Sequence, residues 1–95
     1  MRTRKMESVL RKWGRIRDLD LEVEERSGGL FQAVFRRISF PGEISAGVWG
    51  SNRRIAVDNL ARSVFRWENV ESLEELELQM DAFGGPKTAI TSKMR

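Results

Sequence analysis

Apolar residues recur along the chain with two different periods. Met6, Val9, Leu10, Trp13 and Ile16 are spaced 3, 1, 3 and 3, the period of an amphipathic helix. The opposite face carries Ser8, Arg11, Lys12 and Arg15, and Gly14 is a weak point expected to end the helix early. The period then falls to two. Leu19, Leu21 and Val23 alternate with Asp18, Asp20, Glu22 and Glu24, which predicts a strand with one wet face. Arg26 to Gly29 is a turn signal, and "LFQAVFRRISF" is a second strand. Its register is double. Phe31, Ala33 and Phe35 form one alternation, and Val34, Arg36, Ile38 and Phe40 form another. A bulge, or a strand that outruns the sheet, reconciles them. Pro41-Gly42 marks a second turn, and "EISAGVWG" a short third strand.

Helical spacing returns after Asn52, a suitable N-cap. Ile55, Ala56, Leu60, Ala61, Val64 and Phe65 form a buried face, with Val57 and Trp67 at its edges. The small Ala56 and Ala61 let such a helix lie close to a sheet. The predicted class is α+β in the order α-β-β-β-α: a three-stranded antiparallel sheet with two helices on one face, plus an extra C-terminal element. The division expected is a domain over 1–67 and an acidic, Leu-rich extension over 68–95. "ESLEELELQMDAF" fits a helix better than a strand through its Glu and Leu content, and a loose end follows.

Composition narrows the chemistry. In 95 residues there is no Cys, His or Tyr. That removes thiolate chemistry, the commonest metal ligand and the commonest general base, so the chain is expected not to be an enzyme and to hold no metal or cofactor. The acids of "DLDLEVEE" are hard ligands in principle, but alternating acids on a strand face are more simply solvated. Net charge is +3 but is laid out in blocks. Residues 1–17 hold seven Lys/Arg against one Glu; 18–25 hold five acids and no base; 26–67 hold seven Arg against two acids; 68–95 hold six acids against three bases. Arg outnumbers Lys by 13 to 4, and Arg suits bidentate contact with phosphate or carboxylate. Separate basic blocks point to local anion-binding faces. No stretch is long and apolar enough to span a membrane, and no apolar signal core follows the basic N-terminus, so an intracellular, cytoplasmic protein is expected.

One stretch sharpens the reading. Gly50 precedes Asn52-Arg53-Arg54-Ile55-Ala56; Leu60-Ala61 and Val64-Phe65 follow at one-turn intervals; the first helix reads Leu10-Arg11-Lys12-Trp13. Over about residues 6–67, this order and spacing resemble the double-stranded RNA-binding domain. The second-helix stretch carries most of the likeness. Departures are the missing Pro and His of the first hairpin loop, Val57 at the third basic position of the second helix, and Lys12 where the family has Glu. The resemblance implies three contact regions on duplex RNA: Ser8, Arg11, Lys12 and Arg15 on the first helix, Gly28 and Gly29 in the first hairpin loop, and Asn52, Arg53 and Arg54 at the start of the second helix.

The start of a helix presents unpaired N–H groups and the positive end of its dipole, a natural place for phosphate. Two arginines there are locally unfavourable for helix stability, which favours a ligand-binding reason for them. Trp13 lies on the apolar stripe and is expected in the core; Trp49 is expected to be more open. Arg36 and Arg37 are expected to pair with the acidic first strand beside them. The leading expectation is shape-specific binding of double-stranded RNA, and the alternative is a protein-interaction or dimerisation module on the same fold. A homodimer through residues 68–81 or the sheet edge is expected, with the acidic segment packed away from Arg53, Arg54 and the first helix.

Overall fold

The structure, a computed structural model, describes residues 2–84. Six elements follow in order: α1 (Arg2–Ile16), β1 (Leu19–Glu25), β2 (Phe31–Arg37), β3 (Ile44–Gly50), α2 (Arg53–Glu68) and α3 (Leu73–Gln79), with a π-helical turn over Met80–Gly84. The strands form one antiparallel sheet in the order β1-β2-β3. The helices pack on one face of it, so the chain has the α+β class and element order its periodicities predict.

Side-chain alternation assigns the two sheet faces. Leu19, Leu21, Ala33 and Phe35 are buried with Val9, Leu10 and Trp13 of α1 and Ala56, Val57, Leu60, Ala61 and Val64 of α2. The other face carries Asp20, Glu22, Arg36 and Val34, where Glu22 pairs with Val34 and Asp20 with Arg36 across β1 and β2. Val34 is buried on that face, outside the main core. The two alternations in the second strand are thus its two faces. A bulge does occur, but on β3: Phe35 pairs with Ala46 and Arg36 with Ile44, leaving Ser45 without a partner.

Local reasons fix the ends of the elements. Gly14 does not end α1. A Cβ there would lie 2.8 Å from the Phe35 ring and 3.0 Å from the Leu19 carbonyl oxygen, so glycine lets α1 lie against β1 and β2. Ile16, expected on the buried stripe, is exposed at the helix end. The connection to β1 is two residues long because Asp18 adopts φ 64°, a left-handed conformation that Asp tolerates better than most residues. Its carboxylate accepts hydrogen bonds from the Ser39 hydroxyl (2.6 Å) and backbone N–H (3.3 Å). Asn52 caps α2 by accepting a hydrogen bond from the Ile55 N–H at 2.9 Å. The buried face of α2 is turned from the expected one: Val57 is fully buried, while Ile55 and Phe65 are only partly so. Adding charge at position 57 would therefore disrupt the core.

The helix expected within 71–83 is present as α3, separated from α2 by a break at Asn69. Asn69 takes φ 58° and closes α2, as Asn tolerates the left-handed cap position. Ser72 then starts α3 with a capping-box sequence: its hydroxyl accepts from the Glu75 N–H (3.1 Å), and the Glu75 carboxylate accepts from the N–H of Glu71, the residue before the cap (2.6 Å). Leu76 and Met80 enter the same core as α1, the sheet and α2. The expectation that the acidic segment lies away from the first helix does not hold, because Leu76 and Met80 have apolar surface to bury there and Lys5 offsets Glu77 at 3.5 Å. Leu76→Ala is accordingly expected to cost about 2–5 kcal/mol, whereas Leu78→Ala, at an exposed position, should change stability by under about 0.5 kcal/mol. Urea unfolding of the two variants measures the contrast. The loose end expected over 84–95 lies, beyond Gly84, outside the described residues.

Candidate nucleic-acid interface

Topology brings three regions to one end of the domain. The chain turns back directly from α1 into β1, so the end of β1 and the loop after it lie beside the N-terminal half of α1. Phe31, which opens β2, pairs with Gly50, which closes β3, and α2 starts three residues later. Gly50 lies under the first turn of α2: a Cβ on it would be 2.3 Å from the Ala56 nitrogen. The link between the helices is an ion pair. Arg53 donates from Nε to one Glu7 oxygen (2.7 Å) and from Nη2 to the other (3.0 Å). The Arg53 guanidinium is held above its ordinary pKa chiefly by these hydrogen bonds, with partial desolvation opposing the rise and the charge of Glu7 adding to it.

The site residues inferred from sequence therefore divide. Arg53 is committed to Glu7. Arg11 donates to the Leu21 carbonyl oxygen at 3.0 Å and lies 3.8 Å from Glu7. Because β1 is an edge strand, that bond satisfies a carbonyl that no neighbouring strand reaches. The side-chain oxygen of Asn52 is taken up in capping the first turn of α2. By contrast, Ser8, Lys12, Arg15 and Arg54 are exposed, and these three cations make no ion pair or side-chain hydrogen bond among the described residues. Arg4 is exposed on the same face of α1. The loop glycines are exposed too, with φ 81° at Gly28 and 79° at Gly29, and a Cβ on either would meet nothing within 4 Å. Their requirement is conformational, and their surroundings are open.

Glu7 is the residue sequence reasoning missed. It is the lone acid among the bases of α1, and its partner is 46 residues away. The only available signal was that isolated acid on a basic helix.

Several of the remaining charges pair with one another. Arg36 joins Glu22 at 3.2 Å, as expected for a neighbour on the acidic strand. Arg37 instead joins Glu43 in the β2–β3 loop at 3.4 Å, because its side chain leaves the opposite face of the sheet. Glu24 joins Arg26 at 3.4 Å. Trp13 is buried as expected, and Trp49 is half exposed. No helix among the described residues is long and apolar enough to cross a membrane. Compared with protein-family models, curated proteins and solved structures, the chain matches none.

Proposed function

We propose that this chain binds double-stranded RNA by shape, without catalysis, through the end of the domain where α1, the β1–β2 loop and the start of α2 meet. The observation that carries the reading is this convergence, with Lys12 and Arg54 exposed and unpaired on two of the three elements. A-form RNA offers side chains a wide, shallow minor groove lined with 2′-hydroxyls, and phosphates on either side of a major groove too deep to read. Three spaced contacts suit that surface. Ser8 and Lys12 would meet hydroxyls and base edges, the Gly28-Gly29 backbone would approach a second minor groove, and Arg54 with the first turn of α2 would meet phosphate between them.

Titration of a blunt RNA duplex of about 20 base pairs at several salt concentrations tests the assignment. Lys12→Ala combined with Arg54→Ala should weaken binding and lower the magnitude of the log–log salt slope by roughly 0.9, the single phosphate contact of Arg54. Arg53→Ala alone should lower it by less, since Arg53 is neutralised by Glu7. Glu7→Gln should act in the opposite direction, raising affinity and steepening the slope, because it removes a carboxylate and releases Arg53. An unchanged slope in the Lys12/Arg54 double variant would move the binding face elsewhere.

A second reading, a dimerisation module on the same fold, has one specific support. The edge strand β3 carries no charged residue, and its Ile44 and Trp49 are about half exposed, whereas edge strand β1 carries four acids. Uncharged edges are where strands of separate chains pair. The acidic segment offers less, since Leu76 and Met80 are already buried. Sedimentation without RNA separates the readings: a dimer dispersed by Trp49→Lys would favour this one.

A further inference from the structure

The far end of the two long helices carries a feature that the duplex reading does not use. Trp67, in the last turn of α2, is 54% exposed. It stacks on buried Trp13 with ring centroids 5.9 Å apart and planes within 12° of parallel. Trp13 is itself held firmly. Its ring packs on Phe35 at 5.3 Å, its Nε1–H donates to Glu68 at 3.2 Å, and the Arg17 guanidinium lies 4.6 Å from its centroid. Trp67 therefore rests on a rigid base with its plane fixed, and about half of its surface faces solvent.

Acids follow it in sequence at Glu68, Glu71, Glu74 and Glu75, and the cations Arg62 and Arg66 precede it on α2. Arg62 and Arg66 are exposed one turn apart on α2, without ion pairs among the described residues, and Arg66 adjoins Trp67 in sequence. Glu68 is occupied by Arg17 at 2.7 Å and by Trp13. A half-exposed indole on a helix that also carries unpaired arginines is a combination suited to single-stranded nucleic acid: the ring stacks on a base, and the cations follow the phosphates. A base inside a duplex has both faces covered by its neighbours, so this platform suits an unpaired one.

We propose that Trp67, with Arg62 and Arg66, is a stacking site for an unpaired nucleobase of a single-stranded segment. It is separate from the duplex-binding end. Arg53 and Trp67 are fourteen residues apart on one helix, or about 21 Å at 1.5 Å per residue. The two sites can thus be occupied together, and the second does not depend on the first.

The test is a titration of the full chain with an eight-nucleotide oligouridine, read by tryptophan quenching in a Trp49→Phe background, where Trp67 is the exposed indole. The expected result is quenching on binding. Trp67→Leu, read by anisotropy of labelled oligouridine, should weaken binding about tenfold, while Trp67→Phe should stay within about threefold of the parent. Leucine keeps an apolar cover over Trp13, and an unchanged urea midpoint checks that the fold is intact. Arg62→Ala with Arg66→Ala should lower the salt-slope magnitude by roughly 1.4, about 0.7 per contact on a single strand. Affinity for the RNA duplex should be the same in Trp67→Leu as in the parent, which keeps a failure here distinct from a failure of the duplex reading. Equal oligouridine affinity in parent and Trp67→Leu, or no binding by the parent, overturns the proposal. Self-association that Trp67→Leu abolishes, without oligouridine binding, also overturns it and gives the face to a second copy of the chain.

Discussion

Trp13→Ala is expected to remove about 3–5 kcal/mol of stability, the loss of a large buried aromatic. Trp13 is 2% exposed and touches every layer of the fold. It packs on Phe35 of β2, stacks with Trp67 of α2 and donates to Glu68, while Arg17 lies over its ring. Truncation leaves a cavity between α1 and the sheet, exposes part of Phe35 and strips Trp67 of its support. Domains of this size have about 5–15 kcal/mol in total, so the variant should retain only a small margin. In urea, at about 1–3 kcal/mol per molar, its midpoint should fall by at least about 1 M. Trp49→Ala, on the open sheet face, is the control and should shift it far less. Equal midpoints for the two variants would contradict the packing described.

The second large effect concerns Gly50. A methyl group at this position would sit 2.3 Å from the Ala56 nitrogen, 2.7 Å from its Cα and 2.8 Å from the Ile55 carbonyl carbon. All three are backbone atoms of the first turn of α2, so no side chain can rotate away. Gly50→Ala must push the start of α2 off the end of β3, and a cost of about 3 kcal/mol or more is expected, above the usual 1–3 for added methylenes in a packed core. Gly42→Ala is the comparison, since a Cβ there meets nothing within 4 Å. Because Gly50 seats the turn that carries Arg53 and Arg54, Gly50→Ala should also weaken RNA binding in whatever fraction stays folded. Matched unfolding midpoints for Gly50→Ala and Gly42→Ala would show that α2 does not rest on this glycine.

Much of the fold could be read from periodicity, because each element buries one face. The 3, 1, 3, 3 spacing of Met6 to Ile16 and the strict alternation from Asp18 to Glu24 leave little choice of element. Local sequence failed where a distant contact decides. Gly14 looks like a helix breaker until Phe35 and Leu19 are placed against it. Val57 looks like a helix edge until the sheet fixes which side of α2 is covered. The division between α2 and α3 was legible, since Asn69 followed by Ser72-x-x-Glu75 is a stop and a capping-box sequence. At the candidate site, exposure of Ser8, Lys12, Arg15 and Arg54 follows from helix faces alone. The commitment of Arg53 to Glu7 and of Arg11 to Leu21 does not, since each depends on how α1 lies against α2 and β1.

The internal pairing also refines the electrostatic picture. The basic block of residues 1–17 and the pair Arg53-Arg54 supply seven and two cations by count, yet Arg53, Arg11 and Lys5 face Glu7, the β1 edge and Glu77. The cations left for a ligand are fewer and more spread out than the sequence suggests. That favours a moderate salt dependence with spaced contacts over the steep dependence of a dense basic patch.

The central claim is recognition of the A-form duplex, and it is tested most directly by titrating the chain with RNA and DNA duplexes of the same sequence and length, about 20 base pairs, at matched salt. Contacts to 2′-hydroxyls and to groove spacing predict clear preference for RNA, kept across the salt series because hydroxyl contacts release no counterions. Equal affinity for the two duplexes at every salt concentration would contradict it and reduce the surface to a charged patch.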